Sequence, residues 1–271
     1  MQGYVSSLPP VANWGRGEMH GVLMYRYKNT RVLAECKSNL YSTCMAILQI
    51  TDRWKQAYPG AVVGILAMRG ATNPPSVAAI DDLKRKKEEE LRSKFAGQDR
   101  AALKKIDRMQ AYESYYGKFD KTYHVLLQLE SIALKGKPIA SVGSLVQVMF
   151  VAEVGNMLLT AGHDLDRMSL PLTLDIAQGT ESYLLYNGKP QTPKAGDMVI
   201  SDTLGITSSI LHGPDQRTRI QSSTTNVLFA AYAPAGIGTE AMKRHLEDIR
   251  DGVLLIAPKA TTETLEVHVA E

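Results

Sequence analysis

From Pro171 to Ala233 the chain alternates short apolar runs with turn residues, and this alternation restricts its fold more than any other feature. The runs are "PLTLDIA", "SYLLYNGK", "GDMVISDTLG", "ITSSIL" and "TNVLFAAYA". Each is short and flanked by turn-forming residues, the pattern of strands rather than helices. Asn187-Gly188 supplies the positive backbone angles of a two-residue hairpin turn. Upstream, "AVVGILAM" (Ala61–Met68) reads as a buried strand between Pro59-Gly60 and Gly70. Helical spacing governs Val77–Phe95, through Ile80, Leu83, Leu91 and Phe95. It also governs Asp99–Tyr116, through Leu103, Ile106, Met109, Tyr112 and Tyr116, with Gly117 as the stop. These two segments predict an antiparallel helical hairpin, and the charged tract "KRKKEEELRSK" predicts a solvated face on the first of them. "SLVQVMFVAEVGNMLLTAG" predicts one buried helix ending at Gly162, Thr239–Arg250 another, and "GVLLIAP" a last buried strand. Strands and helices do not alternate as βαβ units. The class is therefore α+β, with a mixed or antiparallel sheet core, surrounding helices and an N-terminal helical hairpin.

With 271 residues the chain can bury a sizeable core. Residues 1–44 lack a steady period and are expected to form a loosely structured extension. Residues 45–271 are expected to form a single domain, with a strand and helical hairpin over 45–135 and a sheet-rich, pocket-bearing part over 136–271. An apolar fraction of 44% and a net charge of +3 fit a globular protein with no whole-chain demand for nucleic acid. No apolar run reaches the ~18 residues of a membrane span, and the N-terminus lacks the pattern of a signal peptide. The expectation is a cytoplasmic protein without a membrane partner, its two cysteines, Cys36 and Cys44, reduced.

Familiar catalytic spacings are missing. His20, His124, His163, His212, His245 and His268 include no HExxH or HxH pair, so no metal site is expected. There is no GxSxG elbow, P-loop or GxGxxG, and no cofactor is expected. "AGIGTE" (Ala235–Glu240) reads as an ordinary strand-to-helix turn. "YYGKFDKTYH" (Tyr115–His124) interleaves aromatics with Lys118 and Lys121. Such a mixture can stack on single-stranded nucleic acid, but it also suits the seam where a helix docks on a core, which is the expectation here.

Polar residues at strand ends remain. His163-Asp164 follows the apolar helix, and Asp202-Thr203 ends a strand. His212, Gly213, Asp215, Arg217, Thr218 and Arg219 precede Thr224, Thr225 and Asn226, which open "NVLFAAYA". Ends of neighbouring strands can converge on one cavity. This one would hold hydroxyls, an amide, carboxylates and backbone N–H groups, but no Ser–His or Cys–His nucleophile pair. It could bind a polar ligand or position a water. A turn capped by its own side chains would explain Thr224–Asn226 equally well.

The motifs "AGHDLDRM", "AQGTESYLLYNGK", "GDMVISDTLG" and "TTNVLFAAY" resemble, in order and spacing, the editing (B3/B4) domain of the phenylalanyl-tRNA synthetase beta chain. "WKQAYPGAVVGILAMRG" and "SIALKGKPIAS" look like free-standing bacterial proteins built on that domain. The resemblance runs from about Ala46 to Pro258, with no aminoacylation motif beside it. It implies hydrolysis, in trans, of the ester of a mischarged aminoacyl-tRNA. Thr224, Thr225 and Asn226 would orient the water and the aminoacyl group. Gly162, His163, Asp164, Asp202, Thr203, Gly213 and Asp215 would line the pocket, with backbone N–H groups near Gly213 on the oxyanion. Arg217, Arg219, Lys118 and Lys121 would meet RNA phosphates. The sequence departs from the family at three points: Ala161 stands where the family carries a His, Thr203 where a Glu reads tyrosine, and His212-Gly213 where a Gly-Gly loop is usual. His163 or His212 would have to replace the missing His. A non-catalytic module binding an amino acid, a nucleotide end, RNA or a protein partner is the alternative.

Overall fold

The computed structural model describes residues 46–271 in full, and before them the backbone of three strands, β1 (Glu18–Met19), β2 (Val22–Tyr27) and β3 (Thr30–Leu33). The chain divides into two compact units, Met1–Met45 and Ala46–Glu271. In the first, β1, β2 and β3 pair antiparallel in that order. The rest of the expected 1–44 extension, with Cys36, Cys44 and His20, lies outside the described residues.

The second unit is α+β. Its strands are β4 (Leu48–Ile50), β5 (Val62–Arg69), β6 (Leu159–Asp164), β7 (Leu172–Ile176), β8 (Tyr183–Leu184), β9 (Pro190–Gln191), β10 (Met198–Asp202), β11 (Gly205–Ser209), β12 (Gly213–Pro214), β13 (Asn226–Ala233) and β14 (Thr261–Val269). Its helices are α1 (Asp52–Ala57), α2 (Ala78–Lys94), α3 (Arg100–Lys104), α4 (Asp107–Gly117), α5 (His124–Leu129), α6 (Ser144–Asn156) and α7 (Thr239–Ile256). A π-helical turn, Glu130–Leu134, continues α5. A four-stranded antiparallel sheet runs β14-β5-β13-β6, and a five-stranded mixed sheet runs β12-β11-β10-β7-β4, with only β4 and β7 parallel. β8 and β9 form the hairpin around Asn187-Gly188.

Side-chain alternation sets the layers. In the four-stranded sheet Gly64 faces α7: a Cβ there would lie 2.7 Å from Met242 Sδ. On the opposite face Tyr232 reaches Ser208 of β11, hydroxyl to hydroxyl at 2.6 Å. The sheet is thus enclosed between helices α6 and α7 and the five-stranded sheet. No helix among the described residues is long and apolar enough to cross a membrane.

Four local expectations are corrected. The stretch 144–162 is not one helix. α6 ends at Asn156, Met157 takes a left-handed turn (φ 58°), and β6 follows. An uninterrupted apolar run carries no period to separate a buried helix from a buried strand. "GVLLIAP" is not a strand but the last turns of α7, whose apolar stripe at Met242, Leu246, Ile249 and Val253 continues through it. The terminal strand is β14 instead. The predicted second helix breaks at Lys105-Ile106 into α3 and α4, and α2 packs chiefly on α6, α7 and the π turn rather than forming a hairpin with them. Finally, Lys84 is not on the solvated face of α2; it is buried, its Nζ donating to Ser141 Oγ at 2.9 Å.

Candidate functional site

The turn before β13 is built from its own side chains. Thr224 Oγ1 accepts from the Gln221 backbone N–H (2.9 Å) and donates to Asp164 Oδ2 (2.7 Å). Thr224 is 1% exposed, so this hydroxyl is fully engaged. Asp164 Oδ1 in turn accepts from Asp166 N (3.1 Å), which starts the turn after β6. Asn226 donates through Nδ2 to both Asp166 oxygens (2.9 and 2.8 Å), and its Oδ1 accepts from Gly70 N (3.3 Å). Thr225 is exposed between them, with its carbonyl held by Ala71 N. These residues tie the ends of β5, β6 and β13 together. Of the three, only Thr225 presents a side chain without a recorded hydrogen bond.

His163 lies one residue earlier in β6, opposite Leu228, on the sheet face that Tyr232 shares. Its Nδ1 is 2.7 Å from Thr218 Oγ1. Thr218 gives its single hydroxyl proton to Asp215 Oδ1, which also accepts the Thr218 N–H (2.9 Å). A hydroxyl that has donated its proton can only accept, so His163 Nδ1 carries a hydrogen and Nε2 carries the lone pair. The imidazole is completely buried, and Nε2 has no partner. Burial pushes its pKa down to about 3, with Arg217 adding to the fall and Asp202 opposing it. It is neutral at physiological pH. An unpaired buried acceptor costs about 1–3 kcal/mol, so Nε2 is a standing place for a donor.

Charged neighbours frame this imidazole. Arg217 forks onto Asp202 at 2.9 and 3.0 Å and reaches Asp215 Oδ2 at 3.5 Å and the Arg167 carbonyl at 2.9 Å. Asp202 also accepts from Ser169 N and Leu204 N. Burial raises the pKa of Asp215. Gly162 sits beneath Ile220, whose Cδ1 would be 2.8 Å from a Cβ there. Thr203 is exposed at the tip of the β10–β11 hairpin. Arg219 pairs with His163 through an isolated backbone bridge, and Nη1 of its guanidinium donates to the Tyr186 carbonyl at 3.1 Å.

The remaining expected residues lie around a second centre. The backbone N–H of His212 donates to Ser209 Oγ (3.2 Å), and Ser209 donates to Asp197 Oδ2. Asp197 also accepts from Tyr115 OH (2.9 Å) and is fully buried, which pushes its pKa up to about 7. His212 Nε2 is buried without a partner; desolvation first, then Lys121 and Lys194, depresses its pKa. Gly213, with φ +82°, accepts from Tyr183 OH through its carbonyl. Lys118 Nζ lies 5.3 Å above the Tyr58 ring, while Tyr112 and Tyr123 stack at 4.0 Å. The aromatic segment is therefore a docking seam with its lysines outside.

The expected pocket is thus distributed. Asp164 and Thr224 are bonded at the sheet end with Asn226 on the adjoining Asp166, Gly162 packs apart from them against Ile220 and Met149, and His163, Asp202, Asp215 and Arg217 join in the neighbouring network. His212, Gly213 and Lys121 gather near Asp197. Asp197, Ser209 and Tyr115 escaped sequence reasoning, because nothing in a lone Asp ahead of "MVISD" announces burial. Two surface cavities, of about 270 and 320 Å³, lie elsewhere: one at Leu83, Val148 and Gly252, the other at Leu127, Ile132 and Phe150. Neither is lined by a residue expected to form the site. No group of three or more His, Cys, Asp or Glu side chains arranged to hold a metal occurs among the described residues.

No family model matches the chain, and no curated protein matches it. Among solved structures it is similar to the crystal structure of an N-terminal fragment of the phenylalanyl-tRNA synthetase beta subunit from Pyrococcus horikoshii, at 10% identity and a TM-score of 0.41. That match covers 81% of this chain and 49% of the fragment, so the chain spans about half the length of its neighbour.

Proposed function

We propose that this chain hydrolyses the ester of a mischarged aminoacyl-tRNA in trans, and that His163, rather than Thr224, handles the water. The observation that carries this reading is the unpaired, tautomer-fixed Nε2 of His163. Asp215 holds Thr218, Thr218 holds Nδ1–H, and Nε2 is left to accept from a water or a substrate hydroxyl. The arrangement follows the logic of an orienting carboxylate behind an imidazole, with a hydroxyl interposed. Thr224 and Asn226 keep the strand ends in register, and Asp202 anchors Arg217 beside the imidazole.

The test is ester loss from a panel of aminoacylated tRNAs. His163→Leu removes the acceptor without leaving a new unpaired group, and Thr218→Val removes the tautomer lock. Hydrolysis is expected to fall roughly 100- to 10,000-fold in the first and somewhat less in the second. With a folded-state pKa of about 3, parental hydrolysis is expected to stay flat from about pH 5 to 8, where an ordinary His would titrate. Undiminished hydrolysis by His163→Leu overturns the assignment.

Full burial and a strongly depressed pKa favour a second reading, a module that binds an amino-acid-bearing or RNA ligand without cleaving it. A parent protein that spares every ester yet gains thermal stability from the aminoacylated tRNA establishes that reading instead.

A further inference from the structure

The β8–β9 hairpin is stapled to the loop that carries Asp215, Thr218 and Arg219. Tyr186 N donates to the Pro214 carbonyl (3.1 Å), Gln216 N to the Leu184 carbonyl (2.8 Å), and Leu185 bridges Asp215. The staple holds the Tyr186 side chain 58% exposed. Arg219 Nη1 donates to the Tyr186 backbone carbonyl, and no carboxylate lies within 4.0 Å of Arg219 among the described residues, whereas Asp202 and Asp215 take up Arg217. Glu181, the acid next along the chain, is occupied by the backbone N–H groups of Gln178, Gly179 and Thr180. An exposed aromatic residue and a guanidinium held on that residue's own carbonyl therefore belong to one stapled surface element, and the backbone of Arg219 is bridged to His163.

We infer that Tyr186 and Arg219 seat the terminal nucleotide of a single-stranded RNA, the ring stacking on the base and the guanidinium meeting the phosphate. Every base offers a face to an aromatic ring, and a phosphate answers an arginine without a carboxylate partner. An acidic peptide would satisfy the guanidinium and leave the ring without a flat partner. The seat rests on the RNA-linked reading above and specifies where that RNA lies: over the hairpin, not along Lys118 and Lys121.

The experiment measures anisotropy of a labelled, short single-stranded oligoribonucleotide, with adenosine monophosphate and an acidic peptide as competitors. Tyr186→Ala is expected to weaken oligonucleotide binding by roughly tenfold or more, Tyr186→Phe to keep it, and Arg219→Gln to weaken it and flatten its salt dependence. Competition by the mononucleotide supports a single-nucleotide seat. Parental affinity in both Tyr186→Ala and Arg219→Gln, absent binding in the parent, or competition by the peptide alone overturns it. Thermal unfolding checks that the variants, both at exposed positions, remain folded. The two proposals fail separately. If Tyr186→Ala cleaves esters with an unchanged KM, the seat falls and hydrolysis stands. If Tyr186-dependent RNA binding occurs without ester loss, hydrolysis falls and the seat stands.

Discussion

Thr224 and Thr225 are adjacent and chemically identical, yet the fold uses them differently. Thr224 joins Gln221 to Asp164 inside the protein, whereas Thr225 faces outward. Replacing Thr224 by Val leaves the Gln221 N–H without its acceptor and removes one donor from Asp164. The expected loss is about 1–3 kcal/mol in denaturant unfolding, with the proposed ester hydrolysis, measured per folded molecule, unchanged. A large kinetic loss at full stability would restore Thr224 to the chemistry. The polar-to-apolar switch at this turn was legible in the sequence, but its purpose was not. Asp164 is 60 positions away from Thr224, and the His163–Thr218 pair spans 55. Local sequence records that a hydroxyl is present, not which distant carboxylate takes its proton. The same blindness concealed Asp197, whose partners Tyr115 and Ser209 come from α4 and β11.

At the scale of elements, the strands over 171–233 were readable because turn residues bracket each run. α6 and β6 were not separable, since both are buried on all sides and the break depends on one left-handed residue. β14 did carry a readable signal, the alternating Leu265, Val267 and Val269, which pack on the core through one face. Gly252 illustrates how packing overrides propensity. It lies inside α7, where Ala would favour the helix by about 1 kcal/mol. A Cβ there would stand 2.5 Å from Val148 Cγ1 on α6. Gly252→Ala is therefore expected to destabilise by about 1–3 kcal/mol, and adding Val148→Ala to return part of that loss, as read from urea midpoints. Stabilisation by the single change would show that the two helices separate freely.

Across the whole molecule, buried ionisable groups pull stability in opposite directions with pH. Burial lowers His163 and His245 to about 3 and His124 to about 4. Below the ordinary histidine value of 6.5 the unfolded chain takes up protons that these rings refuse, so stability falls with acid. Burial raises Asp197 to about 7 and Glu153 to about 8. Their neutral forms suit the fold, so their contribution is full below the ordinary carboxylate range and is lost as pH rises through those values. Unfolding midpoints between about pH 4 and 9 are expected to trace a dome with its top near neutrality. Glu153→Gln should flatten the alkaline limb, and an unchanged limb would assign the slope elsewhere. The sheet order has a consequence of another kind, for synthesis. β5 is apolar along nearly its whole length, and both its neighbours belong to the far part of the chain, Asn226–Ala233 and Thr261–Val269. At ribosomal speeds of about 5–20 residues per second, roughly ten to thirty seconds pass between the emergence of β5 and that of its first partner. During that interval the nascent chain carries an apolar strand whose native partners do not yet exist, the kind of exposed edge that chaperones shield during translation.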